Sequence, residues 1–279
     1  MRPMRCPDPI MLPAIKSARG VTLIELIVVI VVTGIIASGV AVFIKRPMDS
    51  YVDASRRATL SDEADTALRR ITRDLRTALP NSVRVDASGK FIEYIETTSG
   101  GRYRADLSST GSGDILDFTT TDTSFDVLGP PPATGTAIVV YNLFNSGTTS
   151  NAYSADNRTA LTSVGSTVVF TSKLFPVSSP ARRFHIVSGP VTYGCTGGQL
   201  RRYSGYAYNE PQVAPPTGGS SAVLAASVDA GECSFSYTAG SLSERTGTVT
   251  IVLQINSTAA GGDVEKVRMF QQVQIGNAP

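Results

Sequence analysis

The hydrophobic pattern changes character twice along the chain. From Val21 to Ile44 the sequence reads VTLIELIVVIVVTGIIASGVAVFI, and Glu25 is the one charged residue in those 24. As a helix this run would be about 36 Å long, more than the roughly 30 Å hydrocarbon core of a bilayer. Apolar character on every side over that length predicts a membrane-spanning segment, since a helix of a soluble domain keeps a polar face. From Lys45 to Leu79 the apolar positions thin to Leu60, Ala64, Ala67, Leu68, Ile71, Leu75 and Leu79, at steps of three and four. Arg57, Asp62, Arg69, Arg70 and Arg73 take the other faces. This spacing predicts an amphipathic continuation of the same helix. Pro47 is expected to kink the junction and Pro80-Asn81 to end the helix. Unbroken from Thr22 to Leu79, it would be about 87 Å long. The amphipathic stripe then needs a sheet to cover it.

Beyond Pro80 the period drops to two. Strand-like runs are Phe91–Ile95, Ile115–Thr119, Ala137–Leu143, Thr167–Thr171, Phe184–Val187, Val191–Cys195, Gln199–Tyr203, Cys233–Tyr237, Thr248–Ile255 and Lys266–Ile275. The cleanest is Thr248–Ile255, where Val249, Ile251, Leu253 and Ile255 alternate with polar or solvated positions. Thr196-Gly197-Gly198-Gln199 reads as a tight hairpin turn. Gly129–Gly135, Ser146–Asn157 and Pro211–Ser221 read as surface loops. The expected architecture is α+β: a long N-terminal helix whose outer half packs on an antiparallel β-sheet, with no internal repeat and no second domain boundary.

Charge adds an exclusion. The 279 residues carry 25 Lys+Arg against 23 Asp+Glu, a net charge of +2, so nothing electrostatic argues for a nucleic-acid partner. Charged residues are only 17% of the chain, a balance that suits a β-rich, loop-rich exported domain. His185 is the only histidine and sits in a strand pattern, Arg182-Arg183-Phe184-His185-Ile186. No HExxH, CxxC or Walker pattern occurs, and Gly111-Ser112-Gly113 does not follow a strand as a nucleophile elbow does. Asp114, Asp117, Asp122 and Asp126 fit no EF-hand spacing and read as a solvated acidic face. Arg201, Arg202, Tyr203, Tyr206 and Tyr208 offer a basic-aromatic stretch, which alternating strand residues explain more simply. The expectation is a protein that is not an enzyme and uses no cofactor and no metal.

Glu25 is the residue that a plain membrane anchor leaves unexplained, because a carboxylate within a membrane helix costs about 2.5–3.5 kcal/mol on insertion scales. The apolar run is also too long for a conventional secretory signal, whose apolar region is about 7–15 residues. Arg19-Gly20-Val21-Thr22-Leu23-Ile24-Glu25-Leu26 resembles the class III signal of type IV prepilins and type II secretion pseudopilins. The resemblance implies cleavage by a prepilin peptidase between Gly20 and Val21, N-methylation of Val21, and Glu25 as the assembly carboxylate. Val21 stands where the family usually has an aromatic residue or Met. The implied organisation is a leader at 1–20, a membrane-spanning helix half at 21–44, an amphipathic half at 45–80 and a β-rich body at 81–279. In a filament, Glu25 of one subunit would meet the new amine of a neighbour's Val21. A mis-stacked subunit would bury that charge alone, so the pair sets register.

Small residues four apart, Gly34/Ser38 and Ala37/Ala41, permit close helix contacts, or are the ordinary content of a membrane helix. The basic residues flanking the span are balanced, Arg2, Arg5, Lys16 and Arg19 before it and Lys45, Arg46, Arg56 and Arg57 after it. An orientation with the body in the periplasm therefore comes from the resemblance. With Cys6 in the leader, the mature chain keeps Cys195 and Cys233, which suit either one disulfide or two separate buried thiols.

In the body, RRITRDLRTALPNSVRV from Arg69, RRFHIVSGPVTYGCTGGQLRRYSGYAY from Arg182, and the end FQQVQIGNAP resemble minor pilin-like components of MSHA-type (mannose-sensitive haemagglutinin) pili. That implies a subunit of the inner membrane and then of the pilus, with other major and minor pilins and the inner-membrane assembly machinery as partners. A bulky, loop-rich body points to a priming or tip complex. A type II secretion pseudopilin and a pilus-displayed adhesin or DNA-uptake subunit are the alternatives.

Overall fold

The structure is a computed structural model that describes residues 20–240, 246–258, 262 and 264–279. Most of the leader, including Cys6, lies outside the described residues. Contacts divide the chain into two units, residues through Ala54 and Ser55–Pro279. One helix, α1 (Leu23–Leu75), contains residues of both. In the first unit its described apolar side chains, from Leu23 through Ile44, are all exposed. The hydroxyls of Thr33 and Ser38 donate to the carbonyls of Val29 and Ile35, so neither leaves an unmet donor on the apolar helix. Pro47 lies inside an unbroken helix.

In the second unit α1 becomes amphipathic, and Leu60, Ala64, Ala67, Leu68, Ile71 and Leu75 are all buried. Leu79 is buried too, but outside the helix, which ends four residues before the expected boundary. After Leu75 the backbone turns and leaves the helical ladder for a sheet edge: Leu79 N–H donates to Ile95 O at 2.8 Å and Thr97 N–H to Thr77 O at 2.9 Å.

Among the described residues the body holds two antiparallel sheets. The larger runs β1 (Arg84–Val85), β2 (Phe91–Arg102), β7 (Arg183–Thr196), β4 (Ala137–Val140), β5 (Arg158–Ser163), β6 (Thr167–Lys173), β3 (Asp122–Asp126). Off this path, β8 (Gln199–Ser204) pairs with β7, and β9 (Ser220–Ala225) with β8. The smaller sheet is β10 (Ser234–Thr238), β11 (Thr246–Thr258), β12 (Val264–Gly276). The branch occurs on β7: Phe184–Val187 pair with β4, Val191–Thr196 pair with β8, and β2 runs along the other edge of both halves. The two expected strands Phe184–Val187 and Val191–Cys195 are thus one, because β2 bulges at Glu96–Ser99 and pairs across the Ser188-Gly189-Pro190 step. The expected hairpin forms, with Thr196 opposite Gln199 and Gly197 and Gly198 at φ 57° and 71°. Two successive positive φ values match the right-handed strand twist and favour glycine at both sites.

Ile115–Thr119 is not a strand; pairing passes instead to β3. Ala137–Leu143 stops at Val140, where Tyr141 takes φ 52°. The apolar stripe of α1 shares one core with Ile92, Tyr94, Val191 and Tyr193 of the large sheet and Val249, Ile251, Leu253 and Ile255 of β11. A second core is aromatic, built on Tyr103, Phe125, Phe170, Phe175 and Phe184.

Candidate functional site

The start of α1 is built as a capped anionic terminus. Thr22 precedes the first helical residue, its carbonyl accepts the first helical bond from Leu26 N–H at 3.1 Å, and its hydroxyl accepts from Glu25 N–H at 3.3 Å. Thr22 is therefore the N-cap and Glu25 the third helical residue, the threonine-to-glutamate spacing of a capping box. The signal for it is legible in the sequence as Thr22-x-x-Glu25. The helix N-terminus favours negative charge at this position. Among the described residues no basic group pairs with Glu25. Val21 is 72% exposed and Gly20 is exposed and outside the helix.

The body's sequence candidates fall differently. Arg202 is drawn inward, its Nε 3.2 Å from Asp74 Oδ2 of α1 and its Nη2 3.5 Å from Glu96 Oε1. Tyr206 is buried and donates to Glu93 Oε1 at 3.0 Å, while Tyr208 lies beneath the Arg158 guanidinium, 3.6 Å from ring centre to Cζ. The basic-aromatic stretch is scaffold, with most of its polar heads already engaged. Asp114 and Asp126 bind Ser124, Thr167 and backbone amides of their own loop, and Asp117 is held down to about 2 by the hydroxyls and amides of Thr119 and Thr120. Among the described residues no three His, Cys, Asp or Glu side chains are grouped to hold a metal.

Sequence reasoning missed the buried charge cluster around Arg84. Its Nε donates to Glu93 Oε2 at 2.8 Å, Nη1 to Glu210 Oε2 at 2.8 Å, and Nη2 to Asn209 O at 2.7 Å, with the guanidinium 3.5 Å above the Tyr153 ring. Burial raises the Glu93 carboxyl above its ordinary value and Arg84 opposes that rise. Burial also disfavours the Arg84 charge, but Tyr153, Glu93 and Glu210 outweigh it and hold its pKa above the ordinary value. The two acids lie over a hundred residues apart along the chain, so no local motif announces them. Cys195, on β7, and Cys233, just before β10, are disulfide-bonded with Cα atoms 6.3 Å apart.

The distinctive chemistry is at the amino terminus, an exposed Val21 after Gly20 and an acid that has no basic partner among the described residues, on an apolar helix whose described side chains are exposed. Residues 15–41 match the family described as the prokaryotic N-terminal methylation motif.

The chain carries a prepilin-type amino terminus.

The match supports a type IV pilin-like protein, and the long helix on an antiparallel sheet agrees with an α+β type IV pilin-like fold. The prepilin motif implies processing by a prepilin peptidase and assembly with other pilins in a membrane system. With the apolar helix it supports a membrane-anchored pilin, and it suggests a structural, non-catalytic subunit. No curated protein and no solved structure matches the chain.

Proposed function

We propose that the chain is a minor pilin: cut between Gly20 and Val21, methylated at Val21, held in the inner membrane by residues 21–44 with its body in the periplasm, and then drawn into a type IV pilus of the MSHA type. Incorporation places it in a priming or tip complex, because the bulky, loop-rich body would pack poorly in a long shaft. The observation that carries the reading is Glu25, the lone acid in the apolar run Val21–Ile44, in a capped first turn with no basic partner among the described residues. Its partner is the methylated amine released at Val21 of a neighbouring subunit. An acid left unpaired in the membrane costs several kcal/mol, so correct stacking is favoured over any shifted one.

Mass spectrometry of the mature amino terminus, with and without the prepilin peptidase, tests the first step. The expected product begins at methylated Val21; a chain retaining its first twenty residues in cells that hold the peptidase would sink the reading. For the second step, Glu25→Ala is expected to leave cleavage intact and to remove the subunit from sheared pilus fractions. Normal recovery of Glu25→Ala in pili would count against the pairing. Recovery of the wild-type subunit with secretion pseudopilins instead of pilins would move the assignment to the type II secretion system.

A further inference from the structure

The register of β2 on β7 sets two arginines face to face: Arg102 is directly opposite Arg183, and two residues on, Gly100 is opposite His185. Directly opposed residues of an antiparallel pair project from the same face with Cβ atoms about 5 Å apart, and like charges there repel. The nearby carboxylates do not relieve them. Asp126 is paired with Arg104 at 3.4 Å and Asp106 with Arg182 at 2.9 Å. Among the described residues neither Arg102 nor Arg183 has an acidic partner. Arg102 and Arg183 line a cleft of about 310 Å³ with Gly100, Leu128, Phe184 and His185. His185, which also lines the cleft, has an Nε2 that is shut off from solvent and has no hydrogen-bond partner. Position 100 admits no side chain, since a Cβ there would meet Phe184 O at 2.7 Å and lie 3.6 Å from His185 Nδ1.

We infer that Arg102 and Arg183 form an oxyanion site above His185, taking a carboxylate or a phosphate group. Two guanidinium forks on one face suit the paired oxygens of either group, and an anion between them converts a repulsive pair into a neutralised one. Burial and the charge of Arg183 keep His185 neutral while the site is empty, at a pKa of about 4. The site stands on the body alone and does not rest on the assembly reading.

Because His185 is the sole histidine, it reports on this cleft without ambiguity. Untagged full-length protein with ¹⁵N/¹³C-labelled histidine, in non-ionic detergent, is titrated with inorganic phosphate, with acetate, and with chloride at matched ionic strength. The expected result is a saturable shift of the imidazole resonances with an oxyanion and none with chloride, together with an upward move of the His185 titration midpoint at saturation. Saturation by acetate alone identifies a carboxylate ligand, and by phosphate alone a phosphoryl one. Arg102→Gln and Arg183→Gln are each expected to weaken binding at least tenfold, and the double variant to abolish it. Each single variant should melt no lower than the parent, since a repulsion is removed. Shifts that never saturate, or that match chloride, or that persist in the double variant, overturn the site; the wild-type titration decides even if a variant fails to fold.

Discussion

His185 is held at a pKa of about 4 against an ordinary 6.5, first by burial and then by the Arg183 guanidinium. The folded state therefore refuses a proton that the unfolded chain accepts. The stability this neutral imidazole permits is intact above about pH 6.5 and is lost as the pH falls towards 4. From pH 7 to 4.5 the loss is about 2–3 kcal/mol. His185→Gln, which cannot titrate, is expected to lose correspondingly less over that interval in urea unfolding. Parallel losses for the two proteins would show that the imidazole is not so held. Arg84 is the opposite case, a buried cation kept charged by two acids and a ring. Neither residue advertised its role locally: Arg84 sits in SVRVD and His185 in RRFHIV, and the partners that define them come from other strands and loops. Glu25 stood out in the sequence, because an acid among apolar neighbours is anomalous without any knowledge of folding.

At the scale of elements, α1 shows how far periodicity reaches. Each position on the expected stripe is buried, and Arg57, Asp62, Arg69, Arg70 and Arg73 are exposed. Ile71→Ala, at a fully buried position, is expected to cost about 2–5 kcal/mol in body stability, and Arg70→Ala less than about 0.5. Equal effects in chemical denaturation would contradict the packing of this face. The strands were legible in proportion to their alternation. β11 and β12 extend beyond their expected limits at both ends, whereas β1, β3, β5 and β9 escaped notice. RTALTS in β5 and SSAVLA in β9 have no apolar alternation to read. They are extended because an adjacent edge, β4 or β8, offers unpaired backbone groups. The helix stop is the same effect in reverse: residues 77–79 have helical spacing, and the edge of β2 takes their backbone instead.

For the whole molecule, the Cys195–Cys233 bond ties the central strand of the large sheet to the start of the small one, across 38 residues of chain. Closing such a loop in the unfolded chain is worth about 3–4 kcal/mol. Reduction, or Cys195→Ser, is expected to lower the unfolding free energy of the body by about that amount while leaving Val21 processing unchanged. An unchanged urea midpoint would show that the bond contributes nothing. The amino-acid sequence alone determined the apolar helix, its lone acid and the buried stripe, because insertion cost and helical period depend on residues a few positions apart. Only the tertiary structure decided that β7 is one branched strand, that Arg84 gathers Glu93 and Glu210, and that Arg102 faces Arg183. Those outcomes hang on backbone pairing between segments tens of residues apart, where each edge takes whichever partner best satisfies its hydrogen bonds, and side-chain order along the chain carries little record of that choice.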